Sequence, residues 1–217
     1  DTEDPISIAA FSQSHAVLLG ELERLGSDTR NDAKLAERIR HKFKIKNTTG
    51  YSLNALVDYV DPIAILSHLM IGSEGTLGFI SRITYNTVVE DPYKASALVF
   101  FPDIRTACEA VICLKSQPPH LAVSAVELLD RPALHSVENK PGLPAIMREL
   151  GEEAAALLIE VRSATVDGIN ERISAVHAAM AGIATVEPMV FSTDPATCEM
   201  YWKVRKGTFP AVGAMRR

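Results

Sequence analysis

Glycine recurs at every third position in Gly72-Ser73-Glu74-Gly75-Thr76-Leu77-Gly78, and the chain then turns apolar through Phe79 and Ile80. No other stretch restricts the fold as much. Glycine lets a backbone take positive φ and lets another group come close, because no Cβ stands in the way. A loop of bare backbone running into a strand suits a phosphate-bearing cofactor lying against the main chain. The spacing differs from the GxGxxG fingerprint of dinucleotide-binding βαβ units, which a helix follows. A nucleotide held here belongs to another architecture. In that reading backbone N–H groups meet phosphate or base edges, and Glu74 accepts from a ribose hydroxyl. The plainer alternative is a tight connection between a helix and a strand. Three glycines with Ser73, Glu74 and Thr76 exceed what such a turn needs.

Composition removes several classes. The 217 residues, 47% apolar and 23% charged, are the balance of a soluble globular protein and suffice for one large domain or two small ones. A net charge of −5 with 6% aromatic residues leaves no basic, aromatic-studded face for nucleic acid. Cys108, Cys113 and Cys198 lack CxxC spacing, which argues against a disulfide framework, an iron–sulfur cluster or a zinc site within the chain. They read as reduced thiols in a cytosolic setting. The six histidines form no HxH or HxxxH pair, so neither metal ligands nor a general base is identifiable. Ser73 lacks the GxSxG setting of a hydrolase nucleophile. The longest apolar stretch, residues 62–72, is too short for a membrane span, and the acidic start (Asp1, Glu3, Asp4) is not a signal peptide.

Apolar periodicity predicts helices over 7–25, ended by Gly26, and over 32–41, capped by Asn31 or Asp32. A short strand at 43–46, a turn at 47–50 and a helical turn at 54–59 follow. Asp61-Pro62 opens a helix to Met70, with proline at an early helical position. Beyond the glycine loop, alternation predicts a strand over 79–88, and Glu90-Asp91-Pro92 marks a boundary. Strands are then expected at 95–101, 122–128, 155–161 and 185–191. Helices are expected at 103–116, capped by Asp103, at 166–181 and from Pro195, with short segments around Pro132, Pro141, Gly142 and Pro144. This βαβ rhythm, given twice, predicts an antiparallel sheet with helices on one face, a ferredoxin-like α+β domain. The fold class is therefore α+β, with units at 1–90 and 91–217.

Three further places carry polar groups that suit chemistry. Asn47-Thr48-Thr49-Gly50-Tyr51 offers hydroxyls and an amide that either line a cofactor or support the glycine loop; Asn and Thr are also ordinary turn residues. The preceding Lys42, Lys44 and Lys46 read as solvated charges. Trp202-Lys203-Val204-Arg205-Lys206-Gly207 places cations near a helix end. A guanidinium suits a carboxylate because its fork donates two parallel hydrogen bonds; the alternative is a basic helix end favoured by the helix dipole. Glu127 and Asp130, near a strand end, face either a cleft or solvent.

Lys46-Asn47-Thr48-Thr49-Gly50-Tyr51-Ser52-Leu53 and Gly72-Ser73-Glu74-Gly75-Thr76-Leu77-Gly78-Phe79-Ile80, taken together, resemble the flavin-binding domain of FAD-linked oxidases, of the vanillyl-alcohol oxidase or PCMH type. The region after residue 90 resembles their cap, or substrate, domain, and WKVRKGTFPAVG at 202–213 resembles the segment with a substrate-binding arginine. The likeness is strongest to bacterial FAD-dependent D-2-hydroxyacid dehydrogenases acting on D-lactate or D-2-hydroxyglutarate. It implies a partial PCMH-type lobe followed by the ferredoxin-like cap. It implies FAD contacts at Gly72 through Ile80, mostly by backbone, with Asn47, Thr49 and Gly50 beside them, and Arg205 on the substrate carboxylate. Such enzymes transfer a hydride to flavin and pass electrons to a quinone or another carrier.

The family's pyrophosphate-binding loop, its histidine-rich catalytic segment and its cysteine-rich cluster domain have no counterpart in these residues. The chain is therefore expected to be an internal piece, inactive alone, with any iron–sulfur cluster and catalytic metal outside it. A lobe of this kind exposes apolar surface, which favours a homodimer. The expected setting is the cytoplasm, or the periphery of the inner membrane. A reading from another class is a non-catalytic, small-carboxylate-binding regulatory module on the ferredoxin-like fold.

Overall fold

The computed structural model describes residues 4–47, 49–139 and 143–214, with side chains of the last helix as far as Thr208. Through Leu69 the ordered elements are all helical: α1 (Pro5–Ser14), α2 (Ala16–Asn31), α3 (Ala33–Lys42), α4 (Ala55–Asp58) and α5 (Pro62–Leu69). An aspartate followed by proline opens both α1 and α5. Asp4 accepts from the N–H groups of Ile6 and Ser7, and Asp61 from that of Ala64. Proline meanwhile sits where its missing N–H leaves nothing unsatisfied. Asp32 caps α3 through the N–H of Leu35.

Leu19 and Leu22 of α2 pack on Ala55 and Leu56 of α4 and on Ile65 and Leu69 of α5. The sequence led us to expect one helix over 7–25 with Gly26 as its end. The chain instead breaks at His15, whose φ of −123° is not helical, and Gly26 lies inside α2. A Cβ at Gly26 would stand 2.9 Å from Ile65 Cδ1, so the glycine permits close helix approach rather than ending a helix. Arg30, one turn on, donates to the carbonyls of Leu56 and Tyr59 at 3.0 and 2.7 Å and satisfies the end of α4.

Two strand expectations fail in this region. Residues 43–46 form a turn after α3, where Lys44 N–H donates to His41 O. Residues 79–88 form no ladder, although Phe79, Ile83, Tyr85 and Val89 keep an odd-numbered apolar alternation. A strand needs a neighbour to pair its N–H and C=O groups, and among the described residues before 93 there is no other strand. Phe79 is consequently 91% exposed.

The chain divides into two units, Asp1–Thr87 and Val88–Arg217. The second contains β1 (Tyr93–Phe101), α6 (Ile104–Lys115), β2 (Ala125–Leu129), α7 (Arg131–His135), a 3-10 turn (Ala145–Arg148), β3 (Ala155–Ser163), α8 (Val166–Ala179) and α9 (Pro195–Ala214). The sheet order is β1-β3-β2, antiparallel throughout, with Phe101 opposite Ala155 and Glu127 opposite Leu158. The expected strand at 185–191 appears only as an edge attachment. Ser96 and Ser192 exchange N–H···O bonds of 2.9 Å, and Val186 N–H reaches Phe100 O at 2.8 Å. The expected segments around Pro132 and Pro144 are α7 and the 3-10 turn; Pro141 and Gly142 lie outside the described residues.

Helices were expected on one face of the sheet and cover both. The odd residues of β1 and β3 (Ala95, Ala97, Val99, Phe101, Leu157, Ile159) pack under α6 and α8. Phe100 and Ala156 on the other face pack with Leu134 of α7, Met147 of the 3-10 turn and Val204 of α9. The near-continuous apolar runs of both strands demand this, since each buried large side chain contributes about 1.5–3 kcal/mol.

Candidate functional site

In the first unit the two loops singled out from sequence meet. Tyr51 and Thr76 share a 3.0 Å hydrogen bond between their hydroxyls, and Ser52 Oγ donates to Ile71 O at 2.8 Å. The polar loop thus braces the glycine loop. Asn47 Oδ1 accepts from Thr49 N–H at 3.1 Å, so its amide oxygen is spent within the turn; Thr48 lies outside the described residues. Gly72 and Gly75 take φ of 78° and 79°, and Glu74 between them takes 51°, a left-handed conformation rare for a residue with a Cβ. Ser73 is buried, and its carbonyl accepts both the N–H and the hydroxyl of Thr76.

The remaining loop backbone is open except at Gly78, which the Met70 side chain covers. Among the described residues, the N–H groups of Glu74, Gly75, Leu77 and Gly78 donate to no carbonyl or side chain, and nothing lies within 4 Å of a Cβ placed on Gly75. Such a row of free donors on bare backbone fits a phosphate- or base-bearing group such as FAD. Leu77, Phe79 and Ile80 are exposed. Phe79 and Ile80 line a groove of about 890 Å³ together with Phe11 of α1 and Leu66 of α5.

In the second unit Arg205 of α9 stands over the end of β2. Its Nε lies 3.2 Å from Glu127 Oε2, with the two side chains 40% and 38% exposed. Both line an open cavity of about 280 Å³ with Asp130, Leu129, Ile104 and Thr208. The site is therefore one guanidinium with a displaceable partner, beside a second carboxylate and apolar walls. Trp202, three residues earlier on α9, donates its indole N–H to Glu160 at 2.5 Å. Glu160 is 2% exposed on β3 and also accepts from Arg162 Nε at 2.6 Å and Ser96 Oγ at 3.3 Å. Sequence reasoning passed over Glu160. A lone acid within Ala155-Ala156-Leu157-Leu158-Ile159-Glu160-Val161 was the available signal, because an unpaired buried carboxylate is too costly to leave there. Lys206, beyond Arg205 on α9, is exposed.

A buried carboxylate, Glu138, braces α7. Glu138 accepts from Arg131 at 2.9 Å and lies 2.7 Å from His135 Nδ1, which ties the ends of α7 together. The Arg131 hydrogen bond holds its carboxyl below the usual glutamate value of 4.5, against the opposing effect of burial and with help from His135. A lowered folded value means stability that is complete above 4.5 and is lost as the pH falls through it. Melting temperatures of the parent and of Glu138→Gln should differ most near neutrality and converge as the pH drops below the carboxylate range. A gap that widens in acid would contradict this.

Residues 90–217 match the family model described as FAD linked oxidases, C-terminal domain. That is more than half of the chain, which belongs to this family of flavin-dependent oxidoreductases with FAD as cofactor. Two similar curated proteins are both D-lactate dehydrogenases. The mitochondrial D-lactate dehydrogenase [cytochrome] of Arabidopsis thaliana is 30% identical over 156 residues, 69% of this chain and 25% of that protein. That of Anaerostipes hadrus is 27% identical over 179 residues, 78% of this chain and 33% of that protein. The chain thus spans no more than about a third of either relative. Among the described residues no three histidine, cysteine or acidic side chains gather as metal ligands, and no helix is long and apolar enough to cross a membrane.

Proposed function

We propose that this chain is the cap domain, with an adjoining lobe of the flavin domain, of an FAD-dependent dehydrogenase that oxidises a D-2-hydroxy acid of the D-lactate or D-2-hydroxyglutarate type. One observation carries the reading: Arg205 presents a half-exposed guanidinium to an open cavity, held among the described residues by the equally exposed Glu127. The names of both relatives support the substrate class. Arg205 takes the substrate carboxylate through a two-pronged contact, and the apolar wall of Leu129 and Ile104 keeps water from one side of it. The bare backbone of 74–78 lies against the adenine side of FAD, with Glu74 toward the ribose. Asn47, Thr49 and Gly50 lie beside the cofactor, on the loop that Tyr51 and Ser52 tie to this backbone.

FAD, when bound, supplies the hydride acceptor. Electrons then leave to a quinone or another carrier. The ferredoxin-like reading of the cap is supported by the β1-β3-β2 order with residues 186–192 on the outer edge of β1. The exposed apolar segment 79–89 is in keeping with a homodimer, and a cytoplasmic or inner-membrane-peripheral setting suits a quinone-coupled enzyme.

The whole protein is expected to be yellow as purified and to lose its flavin absorbance when mixed anaerobically with the correct hydroxy acid. A colourless whole protein that binds the acid without turnover would favour the regulatory module. Arg205→Ala tests the carboxylate contact itself.

A further inference from the structure

We propose that Glu160 is a positioning residue: by accepting the indole N–H of Trp202 it fixes the rotation of α9 about its axis, and thereby where Arg205 stands over β2. The inference rests on Arg205 as the carboxylate-binding group and goes beyond it to what aims that group.

A buried carboxylate costs several kcal/mol in desolvation, and a well-packed apolar residue in its place is often neutral or stabilising. Glu160 lies on the central strand of the sheet, at 2% exposure, with apolar residues on both sides of it in sequence. Packing alone does not explain an acid here. Its two oxygens are both engaged, one by Arg162 and the other by Trp202 and Ser96. Arg162 supplies the countercharge from the same strand and Ser96 reaches across from β1. Trp202 is the partner that belongs to α9.

Apolar contacts of α9, such as Val204 against Phe100 and Leu134, set how closely the helix approaches the sheet. Burial of this kind is non-directional and leaves rotation about the axis weakly specified. A short hydrogen bond from an indole to a carboxylate is directional. Residues three apart on a helix are surface neighbours, so the angle set at Trp202 is inherited by Arg205. The lever is sensitive. With side chains at about 5 Å from the axis, a rotation of about 20° moves the helix surface by about 2 Å. A misplacement of about 1 Å is enough to cost up to about 100-fold in an aligned site.

The test uses the whole flavoenzyme with D-lactate and D-2-hydroxyglutarate as substrates, and the chain itself for spectroscopy. Glu160→Leu should raise KM about tenfold with kcat nearly unchanged, the pattern of lost substrate binding. Glu160→Gln, which keeps an acceptor oxygen for the indole, should recover most of that. Trp202 is the one tryptophan of this chain, so its emission should shift in Glu160→Leu and stay near the parent in Glu160→Gln. In an Arg205→Ala background Glu160→Leu should add nothing to KM. An equal KM rise with or without Arg205 overturns the proposal, as does a fall in kcat alone or an unchanged KM. If Arg205→Ala by itself leaves KM unchanged, the carboxylate reading has failed, and the single variant reveals that separately. Should Glu160→Leu not fold, Trp202→Phe removes only the donor and carries the same test. A parental KM in that variant overturns the proposal.

Discussion

Arg205→Ala in the whole flavoenzyme is expected to raise KM for its D-2-hydroxy acid by about 100-fold, with flavin content unchanged. The size follows from what competes for the guanidinium. Glu127 holds it at 3.2 Å, but with both groups some 40% exposed such a pair contributes only about 0–1 kcal/mol. A substrate carboxylate taking both prongs of the fork gains more than it displaces. Arg205→Lys should fall between parent and alanine, because an ammonium keeps the charge and loses the planar fork. Steady-state kinetics on purified holoenzyme measures all three. A KM within about threefold of the parent in the alanine variant would remove Arg205 from the substrate site.

Phe101→Ala should destabilise the second unit by about 3–5 kcal/mol. Among the described residues Phe101 is the largest side chain with no exposure, seated at the end of β1 opposite Ala155 and packed in the layer under α6 and α8. Alanine at 155 and 107 leaves little bulk nearby to fill the space, so a cavity remains. Urea unfolding followed by Trp202 emission reports this unit, since the tryptophan lies on α9. A loss of unfolding free energy under about 1 kcal/mol, taken from the midpoint shift and the slope, would mean that the site collapses around the smaller residue.

What the sequence revealed about the fold, and where it misled, follows from the range over which each signal acts. Caps are local. Asp32, Asp61 and Asp103 each accept from an N–H three residues ahead, and all three helix starts were legible to a residue or so. Gly26 was misread because its reason lies 39 positions away in Ile65, where spacing in one helix carries no information. The alternation at 79–88 was a genuine strand pattern, yet a ladder needs a partner that the described residues do not supply. Helices on both sheet faces were hinted at by the apolar run Ala155–Ile159 of β3, which a one-sided sheet would have punctuated with polar residues. The candidate site divides in the same way. The glycine spacing was plain to read, while the brace from Tyr51 to Thr76 spans 25 residues and needed coordinates. Arg205 was singled out among neighbouring cations by resemblance; its pairing with Glu127 and its link to Glu160 through Trp202 emerge only from tertiary packing.

The pairing of β1 with β3 has a consequence in time. Residues about fifty to seventy apart in the chain must find each other before the sheet exists, and such non-local closure slows folding relative to helices built from local contacts. The helices before Leu69 close over short separations and leave the ribosome earlier. During synthesis the loop at 72–78 therefore has its scaffold while β1 and β2, which both pair with β3, still have no ladder. Arg205, carried on the helix that docks after β3 is in place, reaches its station last.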